Sequence, residues 1–187
     1  MILSKEQIAN CCKGDQREIS ELYDALFSFI MNISMRYKLN YDDAGASTNS
    51  IFIKFLGTLE GIDNARSVLP LVKTIAVRHL VDEYRATKRK QELISDQELS
   101  NHINLSGSLS SDADLNAEDL LKMIRSLPEP TATVFNLYVV DGYKHKEIAD
   151  MLGLNEGNSK WHLNKARNML KAMLIKEKDR EKNWRYG

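Results

Sequence analysis

The stretch from Tyr143 to Arg167 admits few folds. Ile148 and Leu152 recur at a helical step, Ala149 between them is small enough for a second helix to cross close by, and Gly153 permits the left-handed backbone of a tight turn. Asn155 then caps a second helix whose inward stripe is Leu163, Ala166, Leu170 and Leu174. The pattern is a helix-turn-helix. At ~100° per residue the side opposite Leu163 holds Asn158, Trp161, Lys165 and Asn168. Lys160, Arg167 and Lys171 flank the core side, where long stems lie over apolar surface and their heads reach outward. A helix that enters a major groove needs donors near its N-terminus for base edges and cations on its flanks for phosphates, and Asn158, Lys160 and His162 are so placed. A Trp opposite an apolar stripe is no ordinary core residue. It equally suits packing against the other half of the chain or against a partner protein.

Two shorter helices precede this motif. Leu120, Leu121, Ile124 and Leu127 form one, stopped by Leu127-Pro128-Glu129-Pro130, and Thr133, Val134, Leu137, Tyr138 and Val140 form the next, ended by Asp141-Gly142. Further upstream, Ile19, Leu22, Tyr23, Leu26, Phe29, Ile30, Ile33 and Tyr37 share one face of a long amphipathic helix. Leu3, Ile8 and Cys12 suggest a shorter helix before it. Residues 40–49 are polar and start weakly structured, and Ile51, Phe52, Phe55 and Leu56 then resume a helical pattern that Gly57 or Gly61 ends. A third helix begins near Ser67 with Pro70 in its first turn. Its buried side is Leu69, Val72, Ile75, Ala76 and Leu80, while Arg78, Asp82, Arg85 and Arg89 fall within about 60° of one another on another side. Asp82 pairing with Arg78 and Arg85 is the ordinary reading of that stripe; Lys88-Arg89-Lys90 extend the charge beyond what pairing requires.

The 187 residues carry 26 basic and 26 acidic side chains, a balance that disfavours a protein holding nucleic acid by bulk charge alone. The balance is global but not local. Residues 66–90 hold 7 basic and 2 acidic side chains, residues 91–119 hold 7 acidic and no Lys or Arg, and residues 120–187 hold 13 basic against 8 acidic. The acidic part is Ser-rich and poor in apolar side chains, the composition of a segment that cannot offset its own ordering entropy. The expected organisation is all-α: two small helical domains, 1–90 and 118–187, joined by a flexible acidic linker, 91–117. No apolar run is long enough to span a bilayer and residues 1–7 lack the order of a signal peptide, which leads us to expect a soluble, cytoplasmic protein. Cys11 and Cys12 are adjacent, with neither disulfide nor metal-ligand spacing. His79, His102, His145 and His162 lack Cys or carboxylate companions at ligand spacing, and no Gly-rich phosphate loop or nucleophile-base arrangement occurs. We therefore expect neither an enzyme nor a metal site.

With both units placed, the chain resembles the extracytoplasmic-function sigma factors of the sigma-70 family along nearly its whole length. Lys13-Gly14-Asp15 and Glu21-Leu22-Tyr23 resemble the family's first helices; Asp42-Asp43-Ala44 with Ile51-Phe52-Ile53-Lys54 resembles the helix that docks on the clamp of core RNA polymerase; Ile75-Ala76-Val77 through Asp82 and Arg85 resembles the helix that meets the minus-ten promoter element. Ser126-Leu127-Pro128, Val134 to Tyr138, Gly142-Tyr143, Lys146-Glu147-Ile148-Ala149, Leu152-Gly153-Leu154, Glu156-Gly157 and Ala166-Arg167 resemble the minus-thirty-five reader. The resemblance implies a region 2-like bundle followed by a region 4-like helix-turn-helix domain. It implies that Asp43, Phe52 and Lys54 hold the polymerase, that Arg78, Arg85, Lys88, Arg89 and Lys90 meet minus-ten DNA with Tyr84 as an aromatic platform, and that Asn158, Lys160, Trp161, His162, Lys165 and Arg167 serve minus-thirty-five DNA. The implied partners are core RNA polymerase and promoter DNA, with room for an anti-sigma factor, and there is no implied cofactor, metal or membrane insertion.

The sequence departs from the family in three places. Where acidic residues, a Gln and aliphatics are usual, it reads Ala44-Gly45-Ala46-Ser47-Thr48-Asn49-Ser50, which lowers both docking charge and helix propensity. Leu71 replaces a common aromatic and Arg78 a common Asn, and Trp161 stands where a small polar residue is more usual. A sigma-like interaction protein without promoter opening, and a dimeric helix-turn-helix regulator, are the alternatives to a working sigma factor.

Overall fold

In the computed structural model the described residues are 1–62, 66–94 and 117–186, all-helical with no strand among them. The chain divides into two compact units, Met1–Lys90 and Gln91–Gly187. The expected linker, with Asp96, Glu98, Asp112 and Asp114, falls almost entirely outside the described residues, as does His102. No helix among the described residues is long and apolar enough to cross a membrane.

The first unit is built from α1 (Lys5–Cys12), α2 (Gln16–Ser34), α3 (Tyr41–Leu56), a 3-10 turn at Leu59–Gly61 and α4 (Leu69–Ile94). Each of the first three starts on a side-chain cap that satisfies otherwise unpaired N–H groups. Ser4 Oγ accepts from the Gln7 N–H at 3.1 Å while Gln7 Oε1 accepts from the Ser4 N–H at 3.0 Å, a reciprocal pair. Asp15 caps α2 through the N–H groups of Arg17 and Glu18, and Asn40 caps α3 through that of Asp43 at 2.8 Å. The core is Leu22, Leu26 and Ile30 of α2, Ile51, Phe52 and Phe55 of α3, and Val72, Ala76, Val77, Leu80, Val81 and Tyr84 of α4.

Four details differ from the sequence reading. Helix α2 ends at Ser34, so Tyr37 lies beyond it. Cys11 is buried and Cys12 exposed, because α1 turns the earlier cysteine inward. The buried face of α4 is rotated toward Val77, Val81 and Tyr84, with Leu69 and Ile75 only half-buried. Helix α3 begins at Tyr41 and runs unbroken through Ala44–Ser50. Tertiary packing overrides the weak propensity there: Ala44, Ser47 and Thr48 are all buried. Thr48 Oγ1 donates to the Ala44 carbonyl at 2.8 Å and lies 3.1 Å from Ser34 Oγ of α2. Small side chains let the helices approach, and their hydroxyls find partners on arrival.

The second unit contains α5 (Ala117–Arg125), α6 (Glu129–Phe135), a π-turn at Asn136–Val140, α7 (His145–Leu152) and α8 (Glu156–Tyr186). Pro130 fits the first turn of α6, where no intrahelical donor is needed. Met123, Ile124 and Leu127 pack on Ala166 and Leu170 of α8, with Ala132, Phe135, Met169, Met173 and Leu174 around them. The π-turn, in which the Asp141 N–H reaches the Asn136 carbonyl at 2.9 Å, was not legible in the sequence. It leaves Tyr138, Val139 and Val140 exposed, and Gly142 follows at φ +83°.

Candidate nucleic-acid interface

The α7–α8 corner is set by its backbone. Gly153 adopts φ +65°, in the region where a Cβ meets the following carbonyl, and the Leu154 N–H closes on the Ala149 carbonyl at 2.9 Å. Asn155 Oδ1 then accepts from the Asn158 N–H at 2.7 Å, starting α8. Ile148, Ala149, Leu152, Leu163 and Ala166 are buried in the corner. At the other end of α7, Glu147 accepts from the Lys144 N–H at 2.7 Å.

Two side chains that sequence reasoning did not single out, Ser159 and Thr131, hold α8 in place. Ser159, fully buried, bonds His145 Nδ1 at 2.9 Å, and Tyr138 of the π-turn stacks on the His145 ring with centroids 4.4 Å apart. Burial, with the charge of Lys160 adding to it, pushes the His145 imidazole below its usual pKa, so it remains neutral at physiological pH and one ring nitrogen carries the proton. On the opposite flank Thr131 Oγ1 of α6 lies 3.1 Å from His162 Nδ1. A Ser or Thr at these positions gives no periodic signal in a sequence, which is why they were missed.

On α8, Asn158 and Trp161 of the outward face and Lys160 and Arg167 of its flanks are exposed, while Lys165 is half-buried. Trp161 is 56% exposed. Lys165 Nζ sits 4.8 Å from the Trp161 ring centroid, an attractive geometry for a cation over an indole face. Lys160 pairs with Glu156 one turn earlier at 2.7 Å, and that bond and charge hold the Glu156 carboxyl below its usual value. His162 needs correction. It is half-buried and bonded to α6, because its position falls between the outward face and the core stripe, so it supports the face from behind.

In the first unit, α4 exposes Arg78, Asp82, Arg89 and Lys90 and half-buries Arg85 and Lys88. No ion pair joins Asp82 to Arg78 or Arg85 among the described residues, so the stripe is not neutralised in the way the ordinary reading supposed. Tyr84 is 8% exposed, and an aromatic on the core side of α4 cannot serve as a platform for bases. Phe52 is likewise buried, edge-on to Tyr23 with centroids 5.0 Å apart; it belongs to the α2–α3 core and offers nothing to a docking partner. Asp43 and Lys54 are exposed, Asp43 accepting from Asn40 Nδ2 at 2.9 Å.

Behind the stripe lies a polar network that links α4 to the rest of its unit. Glu83 receives Lys38 Nζ at 2.8 Å and Ser47 Oγ at 2.8 Å, and His79 Nε2 lies 3.2 Å away. Burial works to raise the Glu83 pKa, but the bonds from Lys38 and Ser47 outweigh it and hold the carboxyl below its usual value. His79 is pushed down by burial against the pull of Glu83, with Lys54 and Lys38 reinforcing the shift. The hydroxyl of Ser47 therefore has a use inside the fold, in the segment where docking charge is missing.

Residues 117–170, which span α5 to the middle of α8, match the family model described as Sigma-70, region 4. The second unit therefore carries a sigma-70 region 4 segment. Among solved structures, the sigma factor RpoE of Bartonella quintana, determined with the anti-sigma factor NepR, aligns with 85% of this chain and 98% of its own at 17% identity and a TM-score of 0.50. CnrH, determined with the cytosolic domain of CnrY, aligns over 90% of this chain and 95% of its own at 17% identity and a TM-score of 0.44. The likeness to RpoE extends the sigma-factor fold to both units. A comparison with the curated proteins finds no match. Within the sigma-70 region 4 segment lie the Gly153 turn, the Asn155 cap and the Asn158–Trp161–Lys165 face together.

Proposed function

We propose that this protein is an alternative sigma factor that binds core RNA polymerase and directs it to promoters. The observation that carries the reading is the outward face of α8, an exposed face with amide, indole and cationic groups mounted on a helix-turn-helix inside the region 4 match. In this reading Lys160, Lys165 and Arg167 engage phosphates and position α8, while Asn158 and Trp161 contact base edges of the minus-thirty-five element. The first unit meets minus-ten DNA with Arg78, Arg85, Lys88, Arg89 and Lys90, and contacts the polymerase through Asp43 and Lys54 on α3. The complex of RpoE with NepR supports an anti-sigma protein as a further partner.

Two measurements test the proposal. The purified chain should retain core RNA polymerase in a pull-down and should support run-off transcription from a promoter of its host. Retention without transcription would leave a sigma-like binding protein, and failure of both with sound controls would remove the proposal.

A further inference from the structure

We propose that Trp161 reads the C5-methyl group of thymine in the DNA faced by α8, an inference that rests on the DNA-reading role proposed for the second unit. The indole is placed for a partner and is not loose. It stands on the same side of α8 as Asn158 and Lys165 and is 56% exposed. The His162 ring meets it edge-on, with centroids 4.9 Å apart and planes at 78°. His162 is itself fixed by Thr131 of α6 at 3.1 Å. Lys165 Nζ lies 4.8 Å from the ring centroid. A hydroxyl on a neighbouring helix, an imidazole and an ammonium group thus hold one large apolar surface in a defined pose, and little side-chain freedom remains to be lost on contact.

The chemistry of the groove selects the target. Base pairs present hydrogen-bond donors and acceptors along the major groove, and their one apolar feature there is the thymine methyl group. An indole has a single N–H donor and cannot make the bidentate contacts that Arg makes to guanine or Asn to adenine. Its flat surface is suited to desolvating a methyl group. Asn158, on the same face one turn earlier, carries the amide that pairs with adenine, so the two residues together fit a site containing neighbouring A·T pairs. Lys165 lies over one face of the ring, where its charge can serve a flanking phosphate and the other face is left for the base.

The test uses the full chain, alone and assembled with core RNA polymerase. Duplexes are selected from a random pool, and each thymine in the selected site is then replaced singly by deoxyuridine, which differs only in lacking the methyl group. One such replacement should weaken wild-type binding about three- to fivefold, the effect of one methyl group's desolvation. Trp161→Ala should lose that sensitivity at the same position, and Trp161→Phe should keep part of it. Wild-type protein that binds its selected duplexes but ignores every deoxyuridine would overturn the inference and leave the DNA-reading role standing; Trp161 serving a protein partner would give this result. An undiminished deoxyuridine penalty in Trp161→Ala would overturn it as well. Selection of no duplex in either form would remove the DNA-reading role itself, and this inference with it.

Discussion

In the first unit the helix that carries the cationic stripe is tied to its neighbours through a carboxylate, Glu83, which receives Lys38 and Ser47 and lies beside His79; in the second, the outward helix is tied through hydroxyl–imidazole bonds, Ser159 to His145 and Thr131 to His162. Both arrangements hold an exposed polar face steady, but they respond differently to loss of a partner. Removing one member of an ionic set leaves a charge in a half-buried place, whereas removing a neutral hydroxyl leaves an unmet hydrogen bond. The two units can also be followed separately, because both tryptophans of the chain, Trp161 and Trp184, lie in the second.

The largest effect should come from Glu83→Ala, which strands Lys38 and Ser47. We expect a loss of about 2 kcal/mol, the scale of hydrogen bonds to charged groups, seen in the helical circular-dichroism transition with no matching change in Trp fluorescence. A shift of both signals together would break the independence of the two units. Gly153→Ala places a Cβ at φ +65° with open space around it, so backbone strain alone should cost about 1 to 2 kcal/mol, this time in the Trp-reported transition. Ser159→Ala should cost about 1 kcal/mol by leaving His145 without its buried partner; a neutral result would mean that the Tyr138 stack suffices.

Acid should separate the units further. His79 and His145 both lie below the free imidazole value of 6.5, so in each unit the unfolded chain binds the proton more readily, and stability is full above pH 6.5 and declines as pH falls through it. Glu83 and, in the second unit, Glu156 both lie below the usual 4.5. The Glu156 pair with Lys160 is exposed and contributes little, so the larger further loss beneath that pH falls on the first unit, where Glu83 is half-buried. Unfolding curves at pH 7.5, 5.5 and 4 should therefore show similar early losses and a steeper late loss in the first unit. Equal losses at pH 4 would argue against the ionic tie. The smallest effects concern binding: Lys165→Ala should weaken association across sequences and lower the salt slope by about one, whereas Asn158→Ala should shift sequence preference. Equal, sequence-blind effects from both would mean that the outward face of α8 is not the reading surface.

How much of this was legible beforehand also differs between the units. The helix-turn-helix could be read almost whole, since Ile148, Leu152, Gly153, Asn155 and Leu163 each act through period, turn or cap, and those are local properties. In the first unit the same reasoning failed at Ala44–Ser50, where local propensity is poor and the helix is secured by contacts to Ser34 and Glu83, distant in sequence. It failed again at Phe52 and Tyr84: an aromatic can be core or contact surface, and only the angle at which a helix packs decides between them. His162 was misplaced for a related reason, since a residue at the edge of a stripe belongs to whichever neighbour offers it a partner, here Thr131.

On the DNA-reading role proposed for α8, the ion pair between Glu156 and Lys160 has a bearing on how a specific site is told from other DNA. Glu156 stands in the first turn of α8, close to where a phosphate would approach, and already supplies the negative charge that Lys160 would otherwise seek from any duplex. For Lys160 to engage DNA it must exchange one anion for another, and Glu156 must then recruit a cation from solution, which cancels the cation that the DNA releases. Unselective attraction is thereby blunted at its source, and contacts that depend on the bases are left to decide where the chain stays.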